Sequence, residues 1–187
     1  MTMLRVDNVS KQFGGLKALQ DVSFSVDEGT IFGLMGANGA GKTTLFGVIA
    51  GQIRPNGGTI TFDGRPLAGQ RPDQICRMGL GRTFQIVRPF ANLSVLENVI
   101  VSAMYGAVRA HRLEAATQAG RRALDEVGLG HLADQAAGSL TLSNQKRLEI
   151  ARALATGAKL LLLDEVMAGL TATEVAQMSE TLFRLRQ

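Results

Sequence analysis

The 187-residue chain is 45% apolar and 19% charged, enough aliphatic surface to close a core in a domain of ordinary size, which excludes a disordered chain. Its net charge of +4 is scattered, with Arg65, Arg71, Arg77, Arg82 and Arg88 spread along the middle of the sequence, so it reads as a solvated basic surface and argues against a nucleic-acid interface. No stretch approaches the roughly 18 apolar residues of a membrane span, charges at Arg5, Asp7 and Lys11 interrupt the region a signal peptide would keep apolar, and the single Cys76 excludes an internal disulfide.

In chain order, residues 4–9 read as a short strand. Val22, Phe24 and Val26 alternate with Ser23 and Ser25, the period of a half-buried strand. Asp27-Glu28-Gly29 turns the chain into Thr30-Ile31-Phe32-Gly33-Leu34-Met35, a continuous apolar run of the kind that forms a central strand covered on both faces. A glycine-rich loop follows, then a helix over 43–50 stopped near Gly51. Asn56-Gly57-Gly58 and Asp63-Gly64 are turns bracketing a strand over 59–62. Ser94-Val95-Leu96-Glu97 is a capping box, with Val95, Val99 and Ala103 on the apolar side of the helix it starts. A second helix near 112–127 places Leu113, Ala116, Leu124 and Val127 on one face and ends at Gly128, and a third runs over about 143–155. Leu160-Leu161-Leu162-Leu163 is a buried strand, and Thr171-Ala172-Thr173-Glu174 caps a last helix whose apolar face carries Val175, Met178, Leu182 and Leu185. Strands, then helices, then strand and helix again imply an α/β fold: a parallel-sheet core with a helical insertion.

Gly36-Ala37-Asn38-Gly39-Ala40-Gly41-Lys42-Thr43 satisfies G-x-x-x-x-G-K-[ST] at every fixed position, after an apolar run and before a helix. Glycines let successive backbone N–H groups curl round a β-phosphate, and the helix N-terminus adds partial positive charge. In this pattern Lys42 reaches the β- and γ-phosphates and the Thr43 hydroxyl ligates Mg²⁺. The chain is therefore read as binding a nucleoside triphosphate. Asp164-Glu165, directly after four leucines, supplies the second half of such a site: Asp164 for the metal shell, usually through water, and Glu165 as general base for the attacking water. No N-K-x-D motif lies between the two, which argues against guanine.

These motifs resemble the nucleotide-binding subunit of an ATP-binding cassette (ABC) transporter, and the likeness spans the whole chain. It implies a P-loop NTPase core with a parallel sheet, N-terminal antiparallel strands and an inserted helical subdomain: one domain over 1–187, with core at 1–85 and 156–187 and helical subdomain at 86–155. The resemblance assigns Phe13 to stacking on adenine and residues 36–44, including Thr44, to the phosphates. Thr83-Phe84-Gln85 resembles the Q-loop, whose Gln85 would touch Mg²⁺ and the attacking water. Leu140-Thr141-Leu142-Ser143-Asn144 aligns with the signature loop, where Thr141 and Ser143 would contact the nucleotide held by a second subunit. Ala168-Gly169-Leu170-Thr171 falls at the D-loop. Phe13-Gly14-Gly15-Leu16-Lys17-Ala18, Gly81-Arg82-Thr83-Phe84-Gln85 with Arg88-Pro89-Phe90, and Arg147-Leu148-Glu149-Ile150-Ala151-Arg152 are similar to ATPases of branched-chain amino-acid importers, a group that includes urea and amide importers.

The resemblance implies ATP and Mg²⁺ as ligands, transmembrane permease subunits docked near 86–93, a second ABC ATPase subunit, and an extracytoplasmic solute-binding protein acting through the permease. It implies a peripheral position on the cytoplasmic face of the cell membrane. Leu142 and Ser143 stand where the signature has glycines, and Thr171 where the D-loop more often has Asp or Asn. The family continues past the position of Gln187 into a strand that ends in a γ-phosphate-contacting histidine. Neither His111 nor His131 lies where that residue would. The sequence thus reads as C-terminally short, with the backbone of 31–35 left unpaired on one side. The alternative function is a cassette that binds nucleotide with little or no ATPase activity.

Overall fold

Alternating apolar and polar residues at the N-terminus build a long antiparallel hairpin in the computed structural model, which describes residues 1–83, 89–107 and 112–186. Strand β1 (Thr2–Phe13) pairs with β2 (Leu16–Asp27) from Thr2↔Asp27 to Phe13↔Leu16, with several register shifts. The turn between them uses Gly14 at φ 55°, a conformation that favours glycine. The strand expected at 4–9 is thus longer than its apolar core, because the hairpin turn continues the pairing to Phe13. The other edge of β1 takes β3 (Gly57–Phe62), and β4 (Arg65–Pro66) pairs with β3, giving the antiparallel order β2-β1-β3-β4. Gly58 lies at φ 85°, where a Cβ would sit 2.4 Å from the Asn8 carbonyl oxygen; only glycine allows the strands to close there.

Leu4, Val6, Val9, Ile60 and Phe62 are buried from this sheet, as are Leu45, Val48 and Ile49 from helix α1 (Lys42–Ile49). Together they belong to a compact unit spanning Met1–Ile75; a second spans Cys76–Leu185, the boundary falling inside the short helix α2 (Pro72–Arg77).

The run at 30–35 does not form the expected strand. Ile31 and Phe32 are half-exposed, Met35 is almost wholly exposed, and among the described residues 31–35 make no backbone–backbone hydrogen bond. Phe32 instead stacks on Phe24 of β2, ring centroids 5.1 Å apart. An apolar run specifies burial, whereas a strand requires a neighbouring backbone to bond.

The second unit contains a parallel pair, β5 (Leu80–Arg82) with β6 (Leu160–Leu162), in register Leu80↔Leu160 to Arg82↔Leu162. Gly81 is required by packing, since a Cβ there would lie 2.9 Å from a Leu161 methyl and 3.0 Å from the Ala158 Cβ. Helices α3 (Val95–Tyr105), α4 (Leu113–Glu126) and α5 (Leu142–Ala155) pack round Val95, Val99, Ala103, Ala116, Leu124, Val127, Leu148 and Ile150, all essentially inaccessible. Helix α6 (Ala172–Leu185) adds the buried Met178, with Leu182 and Leu185 partly covered. Leu113, expected on the buried face of α4, is exposed; it is the first helical residue, where the apolar stripe has not yet reached the neighbouring helices. Truncating Leu124, fully buried in this cluster, is expected to lower unfolding free energy by about 2–5 kcal/mol, read as a lower denaturation midpoint for Leu124→Ala.

Both capping boxes form. The Ser94 hydroxyl accepts from the Glu97 N–H at 3.1 Å while the Glu97 carboxylate accepts from the Ser94 N–H at 2.7 Å. At α6 the Glu174 carboxylate accepts from the Thr171 N–H at 2.9 Å and from its hydroxyl at 2.8 Å. The bonds from backbone N–H groups, followed by those from side chains, hold both carboxyls below the ordinary glutamate value. A carboxyl depressed by folding stabilises the fold above its unfolded pKa, and that contribution is lost as pH falls through the lower folded pKa. Thermal stability is therefore expected to drop as pH falls through and below the ordinary glutamate range. Glu97→Gln should flatten that acid limb; an unchanged limb in this variant would remove the Ser94 cap as a contributor.

Candidate nucleotide-binding site

In the first unit, the loop 36–41 is exposed or nearly so and leads directly into α1. The Ala40 N–H donates to the Ala37 carbonyl at 3.1 Å, and Gly39 and Gly41 adopt φ 82° and φ 86°. A Cβ on Gly41 would lie 2.4 Å from the Ala18 carbonyl oxygen, so the loop can pass close to β2 only with glycine at that point. Gly41 caps α1 without a side-chain bond and no acid lies in the first turn, which leaves the first-turn N–H groups and the positive helix end to an anion. The Lys42 ammonium curls back on the Gly36 and Ala37 carbonyls at 2.6 and 2.8 Å, at the mouth of the same loop. Thr43 is exposed and Thr44 half-buried on the first turn. Asn38 is exposed with the loop. Phe13, at the tip of the hairpin, is 46% exposed with the Lys11 ammonium 4.9 Å from its ring centroid. Its ring is thus available at the surface and is not consumed by the core.

In the second unit, β6 leads into Leu163-Asp164-Glu165. Asp164 is buried and forms an ion pair with Arg82 of β5 at 3.4 Å, both side chains 10% exposed or less. Thr83 closes the same end of the pair: its N–H donates to the Leu162 carbonyl at 3.0 Å and its hydroxyl accepts from the Asp164 N–H at 3.3 Å. The two contacts to Asp164 span 82 and 81 residues of sequence and fix the acid at the strand end. Losing either partner of such a pair strands a buried charge. The sequence shows Arg82 and Thr83 without marking this role.

Glu165 is exposed and lies at φ 51°, an uncommon conformation for a residue with a side chain. Its carbonyl accepts from the Ala168 N–H at 3.0 Å and from the Lys146 ammonium at 2.9 Å. Lys146 was not singled out by any motif. It is 7% exposed; burial pushes its pKa down, and the Glu165 charge opposes that.

Thr141 is exposed at the start of α5, its hydroxyl accepting from the Asn144 N–H at 3.3 Å, while Ser143 is buried in the first turn. A nucleotide contact from this loop falls more readily to Thr141 than to Ser143. Leu142 is about half-exposed, and its Cδ2 would lie 3.2 Å from a Cβ on Gly169, so the loop before α5 and the turn after Glu165 are neighbours. Gln85 lies outside the described residues, as do His111 and residues 86–88 of the expected docking segment. Of that segment's described part, Phe90 is bracketed by the buried Asn98, whose side chain accepts from the Phe90 N–H at 2.8 Å and donates to its carbonyl at 3.1 Å. The Arg152 guanidinium sits 5.4 Å from the Phe90 ring centroid.

The Thr43 hydroxyl in the first unit and the Asp164 carboxylate in the second are each a hard oxygen donor of the kind Mg²⁺ takes alongside water and phosphate, so each by itself suits that ion.

A family model described as ABC transporter matches residues 19–168. The high-affinity branched-chain amino acid transport ATP-binding protein LivG of Salmonella typhimurium is 40% identical over 197 residues, covering 98% of this chain and 77% of LivG. The ADP conformation of MJ1267, an ATP-binding cassette of an ABC transporter, superposes with a TM-score of 0.89 at 30% identity, covering 100% of this chain and 77% of that one. A dimeric post-hydrolysis state of the cassette MJ0796, bound to ADP and Pi, gives a TM-score of 0.85 at 25% identity over 99% of this chain and 83% of that one. With the phosphate loop formed, an acidic pair at a parallel strand end and likeness over nearly its full length, the chain belongs to the ABC transporter family as one of its ATP-binding cassettes.

Proposed function

We propose that this protein binds and hydrolyses ATP to drive an importer of branched-chain amino acids or closely related small solutes. The formed phosphate loop, with glycines at positive φ and Lys42 at its mouth, carries the nucleotide part; the likeness to LivG supports the solute class. The loop N–H groups and the N-terminus of α1 hold the β-phosphate, and Lys42 exchanges its two loop carbonyls for β- and γ-phosphate oxygens. Phe13 stacks on adenine. Thr43 and Asp164 would hold Mg²⁺, with Gln85 as a third oxygen donor, and the ion would supply positive charge against the phosphate oxygens. Glu165 accepts the proton of the water that attacks the γ-phosphate, and Thr141 contacts the nucleotide held by a second cassette.

Two cassettes work with transmembrane permease subunits at the cytoplasmic face of the membrane, and an extracytoplasmic binding protein delivers solute. Residues 86–93 form the permease-facing segment of a helical subdomain at 86–155. The dimeric state of the similar cassette MJ0796 supports pairing, and no helix among the described residues is long and apolar enough to cross a membrane.

The test is Mg-ATP binding and phosphate release by this chain, followed by reconstitution with permease and binding protein in liposomes. Turnover stimulated by leucine- or valine-loaded binding protein is expected. Stimulation by urea or amides alone would move the solute class. Binding without phosphate release in the full assembly would select the non-hydrolysing cassette.

A further inference from the structure

We propose that Lys146 is a positioning residue for hydrolysis: its ammonium, reaching from the second turn of α5 to the Glu165 carbonyl, holds that peptide in the left-handed conformation that directs the Glu165 carboxylate. The proposal rests on the reading of Glu165 as general base.

Three observations converge on it. Glu165 sits at φ 51°, a conformation that persists only where its surroundings enforce it. Two donors meet on the carbonyl of that peptide, the Ala168 N–H at 3.0 Å and the Lys146 ammonium at 2.9 Å. The first belongs to the turn itself and moves with it. The second comes from α5, whose neighbours Leu148, Ile150 and Ala151 are fully buried, so it refers the turn to a rigid element. Lysine is rarely this buried without a specific partner, and burial works against its charge. An apolar side chain of similar length would fill the space without that desolvation. What only a cation of this reach supplies is a charge-assisted bond aimed at one carbonyl. Because φ of a residue sets the direction of its Cα–Cβ bond, holding the peptide aims the carboxylate; displacement of a reacting group by about 1 Å costs about 100-fold in rate.

The test compares Lys146→Met, Lys146→Arg and Glu165→Gln in the full chain by steady-state turnover, Mg-ATP affinity and amide hydrogen exchange. For Lys146→Met, kcat is expected to fall about 10- to 100-fold while Mg-ATP affinity stays within about twofold. The Ala168 N–H, which shares the Glu165 carbonyl, should exchange about tenfold faster as the turn loosens. Lys146→Arg, which keeps a cationic donor of similar reach, should recover most of kcat and the protection at Ala168. Should Lys146→Met fail to fold, Lys146→Gln, too short to reach the carbonyl, is judged by the same criteria. Unchanged kcat in the Met or Gln variant while Glu165→Gln is inactive would overturn the positioning role alone. A kcat loss with Ala168 still protected and no rescue by Arg would overturn it too. Full turnover in Glu165→Gln would instead overturn the general-base reading beneath it.

Discussion

Lys42→Ala is expected to weaken Mg-ATP binding about 10- to 150-fold, the loss of a charge-assisted hydrogen bond to phosphate of about 1.5–3 kcal/mol. It should also lower turnover by about 100- to 1000-fold, since a positioned cation stabilises the charge that develops on the transferring group. The fold should survive, because α1 is held by the buried Leu45, Val48 and Ile49 and by the Leu45 N–H bond to the Gly41 carbonyl at 2.8 Å, none of which needs the ammonium. Lys42 does bridge the Gly36 and Ala37 carbonyls, so its removal also loosens the loop. Adenosine affinity separates the two effects: a nucleoside that reaches Phe13 but no phosphate contact should bind the variant as it binds the parent chain. Calorimetry with ATP and with adenosine makes the comparison. Equal ATP affinity in parent and variant would remove Lys42 from the phosphate site.

Glu165→Gln should leave Mg-ATP affinity nearly intact and reduce phosphate release about 100- to 10,000-fold, the range for loss of a positioned general base. The substitution is close to isosteric at an exposed side chain. It leaves untouched the backbone contacts of the Glu165 carbonyl to Lys146 and Ala168, so the turn itself should persist. A variant that binds and holds ATP without cleaving it should also accumulate the paired cassette, read as a nucleotide-dependent shift in native mass. Undiminished phosphate release would show that another group activates the water.

The features legible in the amino-acid sequence are those whose physics is local. The phosphate loop is one, because glycine positions, a lysine and the start of a helix lie within eight residues and determine one another. The two capping boxes are another: Ser94 with Glu97 and Thr171 with Glu174 close over three residues, and both helices start where those pairs place them. Buried stripes were legible where the 3.6-residue period ran through a helix interior, as at Val95, Val99 and Ala103. The stripe failed at the start of α4, where Leu113 outruns its neighbours and is exposed.

The run at 30–35 shows the other limit. Its composition marks a strand, yet whether it becomes one depends on which backbone lies alongside, and among the described residues it makes no ladder. Strand β5 was invisible for the complementary reason: three residues, Leu80-Gly81-Arg82, become a strand only because Leu160-Leu161-Leu162 lies parallel to them. The same pairing brings Arg82 and Thr83 onto Asp164.

Sequence by itself therefore determined the family, the phosphate loop, the acidic pair and the helix starts, since each rests on residues that act on neighbours a few positions away. Tertiary structure alone decided what holds those groups in place. The Arg82–Asp164 ion pair, the Thr83 clasp and the Lys146 bond to the Glu165 carbonyl join residues 82, 81 and 19 positions apart. A buried charge finds its partner through packing, which no local spacing encodes.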